Sequence, residues 1–374
     1  MAGIYLHIPF CKQACHYCDF HFSTSLKNKQ AFLDALKLEI ALQKNYLKGQ
    51  EIKSVYLGGG TPSLLSQREL LDVFQELNEN YSISADAEIT LEANPDDLTH
   101  EKLRQLKETP VNRLSIGLQS FAEKDLRYMN RAHTAEMGSA AVKDAQDAGF
   151  NNISVDLIYG TPTLSKDVWL NNLDKVFALQ VKHISCYALT VEPKTALDRF
   201  IRSGKSENPD ERQTAYQFET LIAEMKKNDF IQYEISNFCK EGFLSKHNSN
   251  YWLKEHYLGL GPSAHSYNGY SRQWNVRNNN RYIRALEKRT LDFEKEILKP
   301  DQHYNEYILT SLRTIWGTDL DCIRKMGEDY YTTCVKEVQR YIMSGDVIQK
   351  NSLLNLTDKG KLLADKIASD LFVV

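Results

Sequence analysis

The stretch GIYLHIPFCKQACHYCDFHF, residues 3–22, places Cys11, Cys15 and Cys18 within eight positions. Thiolates spaced C-x3-C-x2-C can hold zinc or an iron–sulfur cluster. A structural zinc site usually takes four protein ligands, often as two CxxC pairs, and this chain has no second pair. His16 and His21 carry nitrogen, but either one, so near in sequence, would leave a cramped tetrahedron. A cubane [4Fe–4S] cluster held by three cysteines leaves one iron open to a small molecule. The other four cysteines, Cys186, Cys239, Cys322 and Cys334, are scattered, as small core residues are, and do not resemble a disulfide framework.

Further chemistry stands at the ends of apolar runs: Gly58-Gly59-Gly60-Thr61-Pro62, Glu92, Gln119 with Ser120, and Asp156 followed by Tyr159-Gly160-Thr161-Pro162. Singly, each reads as a tight turn or a helix cap. Together on one rim they predict a shared ligand. The runs themselves are GIYLHI, SVYLGGG, AEITLEA, RLSIGLQ, NISVDLIYG and HISCYALTV. Between them, helical periodicity predicts helices over 30–46, 67–81, 101–107 and 136–148, with Ser66 and Thr99 as N-caps and Gly149 as a stop. Six strands, each followed by a helix, predict a parallel sheet covered by helices, with continuous apolar strands and ligands gathered at the strand ends.

The ordered series Tyr5-x-His7-Ile8-Pro9-Phe10-Cys11-x3-Cys15-x2-Cys18, GGGTP, Glu92-Ala93-Asn94-Pro95, Ser115-Ile116-Gly117-Leu118-Gln119-Ser120-Phe121, Arg131, Asp156-Leu157-Ile158-Tyr159-Gly160-Thr161-Pro162 and Gly259-Leu260-Gly261-Pro262-Ser263-Ala264 covers most of the chain. It resembles the radical SAM proteins related to oxygen-independent coproporphyrinogen III oxidase. The resemblance implies an α/β fold: a partial (β/α)6 barrel of TIM type with a small, mainly helical, winged-helix-like domain at the C-terminus. It implies a [4Fe–4S] cluster on Cys11, Cys15 and Cys18, with S-adenosylmethionine (SAM) at the open iron. Tyr5, Gly59, Gly60, Thr61, Glu92, Gln119, Arg131 and Asp156 fall on family positions that contact SAM. The residue types agree, since glycines admit the ligand and charged side chains pair with its ammonium, carboxylate and ribose.

Two departures separate the chain from the oxidases. They carry a fourth cysteine where Phe20 stands here, and a longer segment precedes their Tyr-x-His-Ile-Pro-Phe-Cys strand. Both features match instead a sister group of heme chaperones, which share the motif present here as His247-Asn248-Ser249-Asn250-Tyr251-Trp252. Histidine is a common axial ligand of heme iron and aromatic faces suit a porphyrin, so His247 is the expected heme ligand. The expected function is a chaperone that binds heme and passes it to an acceptor hemoprotein, with a membrane-associated respiratory enzyme as one candidate and without coproporphyrinogen oxidase activity. The alternative is the oxidase itself, in which a 5′-deoxyadenosyl radical oxidatively decarboxylates coproporphyrinogen III.

A chain of 374 residues, 42% apolar and 25% charged, is expected to hold more than one folding unit. The expected division is a radical SAM core over 1–235, an aromatic and Asn-rich connecting segment over 236–298, and a helical domain over 299–374. The last contains the outline of a winged helix: a hairpin turning at Lys350-Asn351, then a helix capped at Thr357. A DNA-binding regulator would need surplus positive charge there, but residues 301–374 hold nine Lys or Arg against eleven Asp or Glu. With a net charge of −3 this predicts no nucleic-acid partner. The absence of a signal-like start or a long apolar span predicts a cytoplasmic location. Heme or cluster binding can also bridge two chains, so a dimer is an open expectation.

Overall fold

A computed structural model describes residues 2–373. The first half is six βα units in chain order. β1 (Ala2–Ile8) precedes α1 (Lys29–Leu42), β2 (Ile52–Gly59) precedes α2 (Gln67–Asn80), and β3 (Ile83–Ala93) precedes α3 (His100–Lys107). β4 (Arg113–Gln119) is followed by α4 (Glu123–Met129) and α5 (Ala135–Asp147), and β5 (Ile153–Tyr159) by α6 (Lys166–Ala178). β6 (His183–Ala188) leads to α7 (Ala196–Arg202) and α8 (Glu211–Lys227). The six strands pair in parallel in the order β1-β2-β3-β4-β5-β6. This is the parallel sheet that the repeat predicts, in the form of the partial barrel that the resemblance implies.

Several helix ends follow from identifiable caps. Ser66 accepts from the Glu69 amide while the Glu69 carboxylate accepts from the Ser66 amide, a full capping box. The Thr99 and Thr134 hydroxyls accept from the Lys102 and Met137 amides and cap α3 and α5 without the reciprocal bond. α1 stops at Leu42, short of the expected residue 46, because the chain tightens into turns closed by Tyr46 N–H to Gln43 C=O and Lys48 N–H to Asn45 C=O.

Residues 231–297 show no clean period, yet they extend the same sheet at both edges. β7 (Ile231–Glu234) and β8 (Asn237–Cys239) pair antiparallel beyond β6. After α9 (Lys246–Trp252), β9 (His256–Leu260) lies parallel to β1. β10 (His265–Tyr267), β11 (Ser271–Asn275), α10 (Asn279–Glu287) and β12 (Phe293–Ile297) complete a sheet of 12 strands. Strands of three to five residues are too short to display an alternation that the eye can separate from loop.

The remainder forms a separate core around Tyr304, Ile308, Val338 and Ile367. It consists of α11 (Pro300–Leu312), β13 (Thr318–Asp319), α12 (Leu320–Met326), α13 (Glu328–Met343), β14 (Val347–Lys350), β15 (Leu353–Leu356), α14 (Asp358–Lys361) and α15 (Ala364–Asp370). Its hairpin turns at Asn351-Ser352, one residue later than expected. Lys350 still pairs with Leu353, and Asn351 takes the left-handed backbone (φ 55°) that such a two-residue turn requires. Among the described residues, no helix is long and apolar enough to cross a membrane.

The six core strands are not continuously apolar, contrary to the reading from sequence. Ile4, Leu6 and Ile8 of β1, Val55 and Leu57 of β2, and Leu114, Ile116 and Leu118 of β4 pack into the main core with the helices. The alternate positions, among them Tyr56, Glu92, Arg113, Ser115, Asp156, Ser185 and Tyr187, line an internal cavity. The sheet therefore has an apolar outer face and a polar lumen, which sets it apart from a barrel packed solid with branched side chains.

Candidate active site and its floor

The lumen holds a cavity of about 500 Å³ that opens where β1 to β6 end. The segment carrying the three cysteines is fastened across this mouth by backbone bonds. Cys11 N–H donates to Ser23 C=O (3.0 Å), Ser23 N–H to Pro9 C=O (2.9 Å), and His16 N–H to Met129 C=O (3.1 Å). Asn130, in left-handed backbone at the end of α4, donates to Ala14 C=O (2.7 Å) and receives the Gln13 amide on its own carbonyl (2.9 Å). Lys12 pairs with Asp96 at 3.2 Å and with Asp97.

Cys11, Cys15 and Cys18 all line the cavity. Burial pushes the Cys11 thiol upward and the Cys18 thiol to about 12, so holding thiolates there calls for a positive partner or a metal. Arg131 supplies a cation at the same place: it donates to Cys15 Sγ (3.4 Å), Asn94 Oδ1 (2.6 Å) and Gly117 C=O (2.8 Å), and its buried Nε has no partner. Among the described residues, no three His, Cys, Asp or Glu side chains close around a single metal ion. His16 is tied to Tyr128 C=O (2.9 Å) and His21 to Asn279 (2.6 Å), and neither lines the cavity. Phe20 does line it, and is 66% exposed.

Below the cysteines the cavity wall is formed by Gly59, Gly60, Thr61, Glu92, Gln119, Arg131 and Asp156, seven of the eight residues singled out for SAM. The glycines are needed here. Gly59 has φ +101° and a Cβ on it would lie 2.4 Å from the His7 ring; one on Gly60 would lie 2.6 Å from two backbone carbonyls. Gln119 adopts left-handed backbone (φ 65°), a conformation that side chains rarely take and that concentrates at binding sites. Glu92 accepts from Tyr56 Oη (2.8 Å) and Gly59 N–H (3.1 Å). Burial raises its carboxyl to about 7 and that of Asp156 to about 6. The eighth residue, Tyr5, stands outside this lining: its ring stacks against Tyr56 and His247, and its hydroxyl meets His7 Nδ1 (3.2 Å).

The motif at 247–252 closes the opposite end of the lumen. α9 packs on β1, β2 and β9. Ser245 Oγ and the amides of Lys246 and His247 all donate to the Glu88 carboxylate of β3, at 3.3, 3.0 and 3.0 Å. Arg113 lies 3.9 Å from that carboxylate, donates to Thr90 Oγ1 (3.4 Å), and has an Nε without a hydrogen bond. His247 is buried, with Nδ1 against Ser54 Oγ (3.0 Å) and Nε2 against Tyr251 Oη (3.1 Å). Burial lowers its pKa to about 3, so the ring is neutral. His247, the expected heme ligand, has both nitrogens engaged in this conformation, and its ring stacks on Tyr56 at 4.8 Å. Asn248, next along the helix, reaches the cavity.

Tyr56, Arg113, Ser115, Ser185 and Tyr187 were not anticipated as cavity residues. Their signal was present: each is a polar residue or a tyrosine at period two within an otherwise apolar run, as in RLSIGLQ and HISCYA.

A family model described as the radical SAM superfamily matches residues 5–176. The chain is similar to a protein named heme chaperone HemW from Mycobacterium tuberculosis, at 34% identity over 374 residues, 99% of this chain and 94% of that one. It is 33% identical to the HemW of Bacillus subtilis over 371 residues, 98% of both chains. Its fold matches coproporphyrinogen III oxidase (HemN) from Escherichia coli with a TM-score of 0.87 at 24% sequence identity, covering 100% of this chain and 90% of that chain. With full-length similarity to the chaperones and the oxidase sharing the fold, the chain belongs to the radical SAM superfamily and, within it, to the HemW heme-chaperone family.

Proposed function

We propose that the protein binds heme and delivers it to an acceptor hemoprotein, while carrying a [4Fe–4S] cluster with SAM at its mouth. The observation that carries the cofactor part is the placement of three thiols and the partnerless Arg131 Nε on one cavity wall, above a glycine cradle. Cys11, Cys15 and Cys18 would hold the cluster, and Gly59, Gly60, Thr61, Glu92, Gln119, Arg131 and Asp156 would hold SAM. When bound, such a cluster supplies an electron and an open iron for chelation. The chain's own residues do the rest. Glu92 and Asp156 offer negative charge to a cationic ligand, and Arg131 can receive a carboxylate. Tyr5, behind Tyr56, acts on that site through its neighbour.

Direct ligation of heme iron by His247 would require its ring to give up the hydrogen bond to Ser54 or the one to Tyr251 within α9. Phe20 in place of a fourth cysteine favours the carrier over the oxidase, which remains the second reading. One experiment separates them. Anaerobically reconstituted protein is titrated with heme, then incubated with coproporphyrinogen III, SAM and a reductant. A stoichiometric Soret shift without protoporphyrinogen is expected; protoporphyrinogen formation would overturn the carrier reading.

A further inference from the structure

Asn94 directly follows β3 and lines the same cavity as the three cysteines. The proline after it confines it to extended backbone, found at φ −90° and ψ 148°. The turn that Pro95 begins is fastened on several sides. Asp97 N–H donates to Asn94 C=O (3.0 Å), Ser63 Oγ donates to the Asp97 carboxylate (2.7 Å), and Lys12 pairs with Asp96 and Asp97. Asn94 is thus fixed against both the glycine turn after β2 and the cysteine segment.

Its amide joins two neighbours. Arg131 Nη2 donates to Asn94 Oδ1 (2.6 Å), and Asn94 Nδ2 donates to Thr61 Oγ1 (3.1 Å). A guanidinium carries only donors, so the amide must present its oxygen to Arg131 and its nitrogen to Thr61. The Thr61 hydroxyl, accepting from the amide, keeps its own proton to give. Its backbone is held beside the cysteine segment by a bond from Thr61 N–H to Phe10 C=O (2.7 Å). There the hydroxyl serves Cys11: burial pushes this thiol up, and the hydrogen bond from Thr61 draws it back down. At the other end Arg131 Nη1 donates to Cys15 Sγ (3.4 Å). The result is one chain of hydrogen bonds that reaches a different cysteine at each end, with every donor pointing away from Arg131.

Resting on the cluster and SAM reading above, we infer that Asn94 is the positioning residue of this centre: its amide aims the Thr61 hydroxyl at Cys11 and holds Arg131 beside Cys15. Hydrogen bonds to the sulfurs help to set the potential of an iron–sulfur cluster, and Arg131 is the cation offered to the carboxylate of SAM, so one side chain governs both. Replacing the amide by a carboxylate reverses one link. Aspartate keeps an oxygen for Arg131 but has no N–H for Thr61, whose hydroxyl then donates to the carboxylate and leaves Cys11 without its donor.

The test uses the full-length chain, reconstituted anaerobically, and reads iron content, the reduction potential of the cluster, and SAM affinity by calorimetry. Asn94→Asp is expected to retain iron and to lower the potential. It should also weaken SAM roughly tenfold, because the new carboxylate competes for Arg131 and a hydrogen bond between charged groups is at stake. Thr61→Val is expected to lower the potential of the parent but to change that of Asn94→Asp little, since the hydroxyl there has already turned away. Asn94→Ala leaves Thr61 free to donate to Cys11, so its potential should stay nearer the parent's while SAM affinity falls. Iron lost from Asn94→Asp alone is the same withdrawal from Cys11 at its limit, and supports the role. Three results overturn it and leave the cofactor reading standing: Thr61→Val acting equally in both backgrounds, an Asn94→Asp potential equal to the parent's, or iron lost from both Asn94 variants. A parent chain that takes up no iron removes the cofactor reading itself, and this role with it.

Discussion

At the mouth of the lumen, Arg131 shares its terminal nitrogens among Asn94, Gly117 and Cys15 and leaves Nε unpaired; at the floor, Glu88 takes three donors from a single helix start and His247 has both nitrogens engaged. The mouth combines inward-facing thiols, two carboxyls pushed toward neutrality and a glycine cradle. At the floor Glu88 and His247 have their partners already in place, while Arg113 Nε lacks a hydrogen bond as Arg131 Nε does at the mouth. Polar groups in a barrel are therefore not by themselves a binding site. What separates the two ends is how the carboxyls and the histidine are held: three donors fix Glu88 and both His247 nitrogens are engaged at the floor, whereas burial leaves Glu92 and Asp156 raised toward neutrality at the mouth.

The largest expected difference concerns the cysteines. Substituting Ser for Cys11, Cys15 or Cys18 singly should abolish the visible absorption and the iron content of anaerobically reconstituted protein, because a weakly acidic hydroxyl is a poor replacement for thiolate. Ser at the buried Cys334, in the core of the C-terminal domain, serves as the contrast and should leave both intact. Full cluster content in all three single variants would end the assignment of the mouth.

At the floor the expected effect is on stability. Glu88→Ala removes the acceptor for Ser245, Lys246 and His247 and strips Arg113 of the carboxylate 3.9 Å away. Leaving a buried charge without its partner costs about 3–5 kcal/mol, so denaturant unfolding should shift by that order. A variant as stable as the parent would show that α9 is not held by this carboxylate and that the floor is free to open.

How much of this was legible in the sequence follows the same division. The six strands, their parallel order and the capped helices were readable, because apolar runs, Ser66 with Glu69, and Thr99 carry local signals. The residues of the mouth were readable because they cluster at strand ends and in motifs. The polar lumen was missed because Tyr56, Arg113 and Ser185 are single positions within runs dominated by apolar residues. The burial of His247 was not readable at all. It depends on Ser54, some two hundred residues away in the chain, whose Oγ meets His247 Nδ1 and would lie 2.9 Å from a Cβ placed on Gly3. Likewise β9 joins β1 through a pairing that no local pattern announces.

The smallest effect is also the one that separates ligand binding from folding at the mouth, because the two respond to pH with opposite sign. Glu92 and Asp156 have ordinary values of 4.5 and 3.8, and burial raises them to about 7 and about 6. Between those limits the folded chain holds protons that the unfolded chain has lost. Without ligand, stability therefore falls as pH rises from about 4 to about 7. A cationic ligand needs the ionised carboxylates, so the affinity for SAM should rise over the upper part of the same interval, by roughly tenfold for each charge gained, given about 1.5–3 kcal/mol for a charged hydrogen bond. Calorimetric titration with SAM across this range checks it. Glu92→Gln keeps a side chain able to accept from Tyr56 or Gly59 but cannot ionise, so it should flatten the upper step and leave the Asp156 step in place. An affinity that is flat with pH in the parent, or that falls as the carboxyls ionise, would show that these two groups do not face the ligand's positive charge.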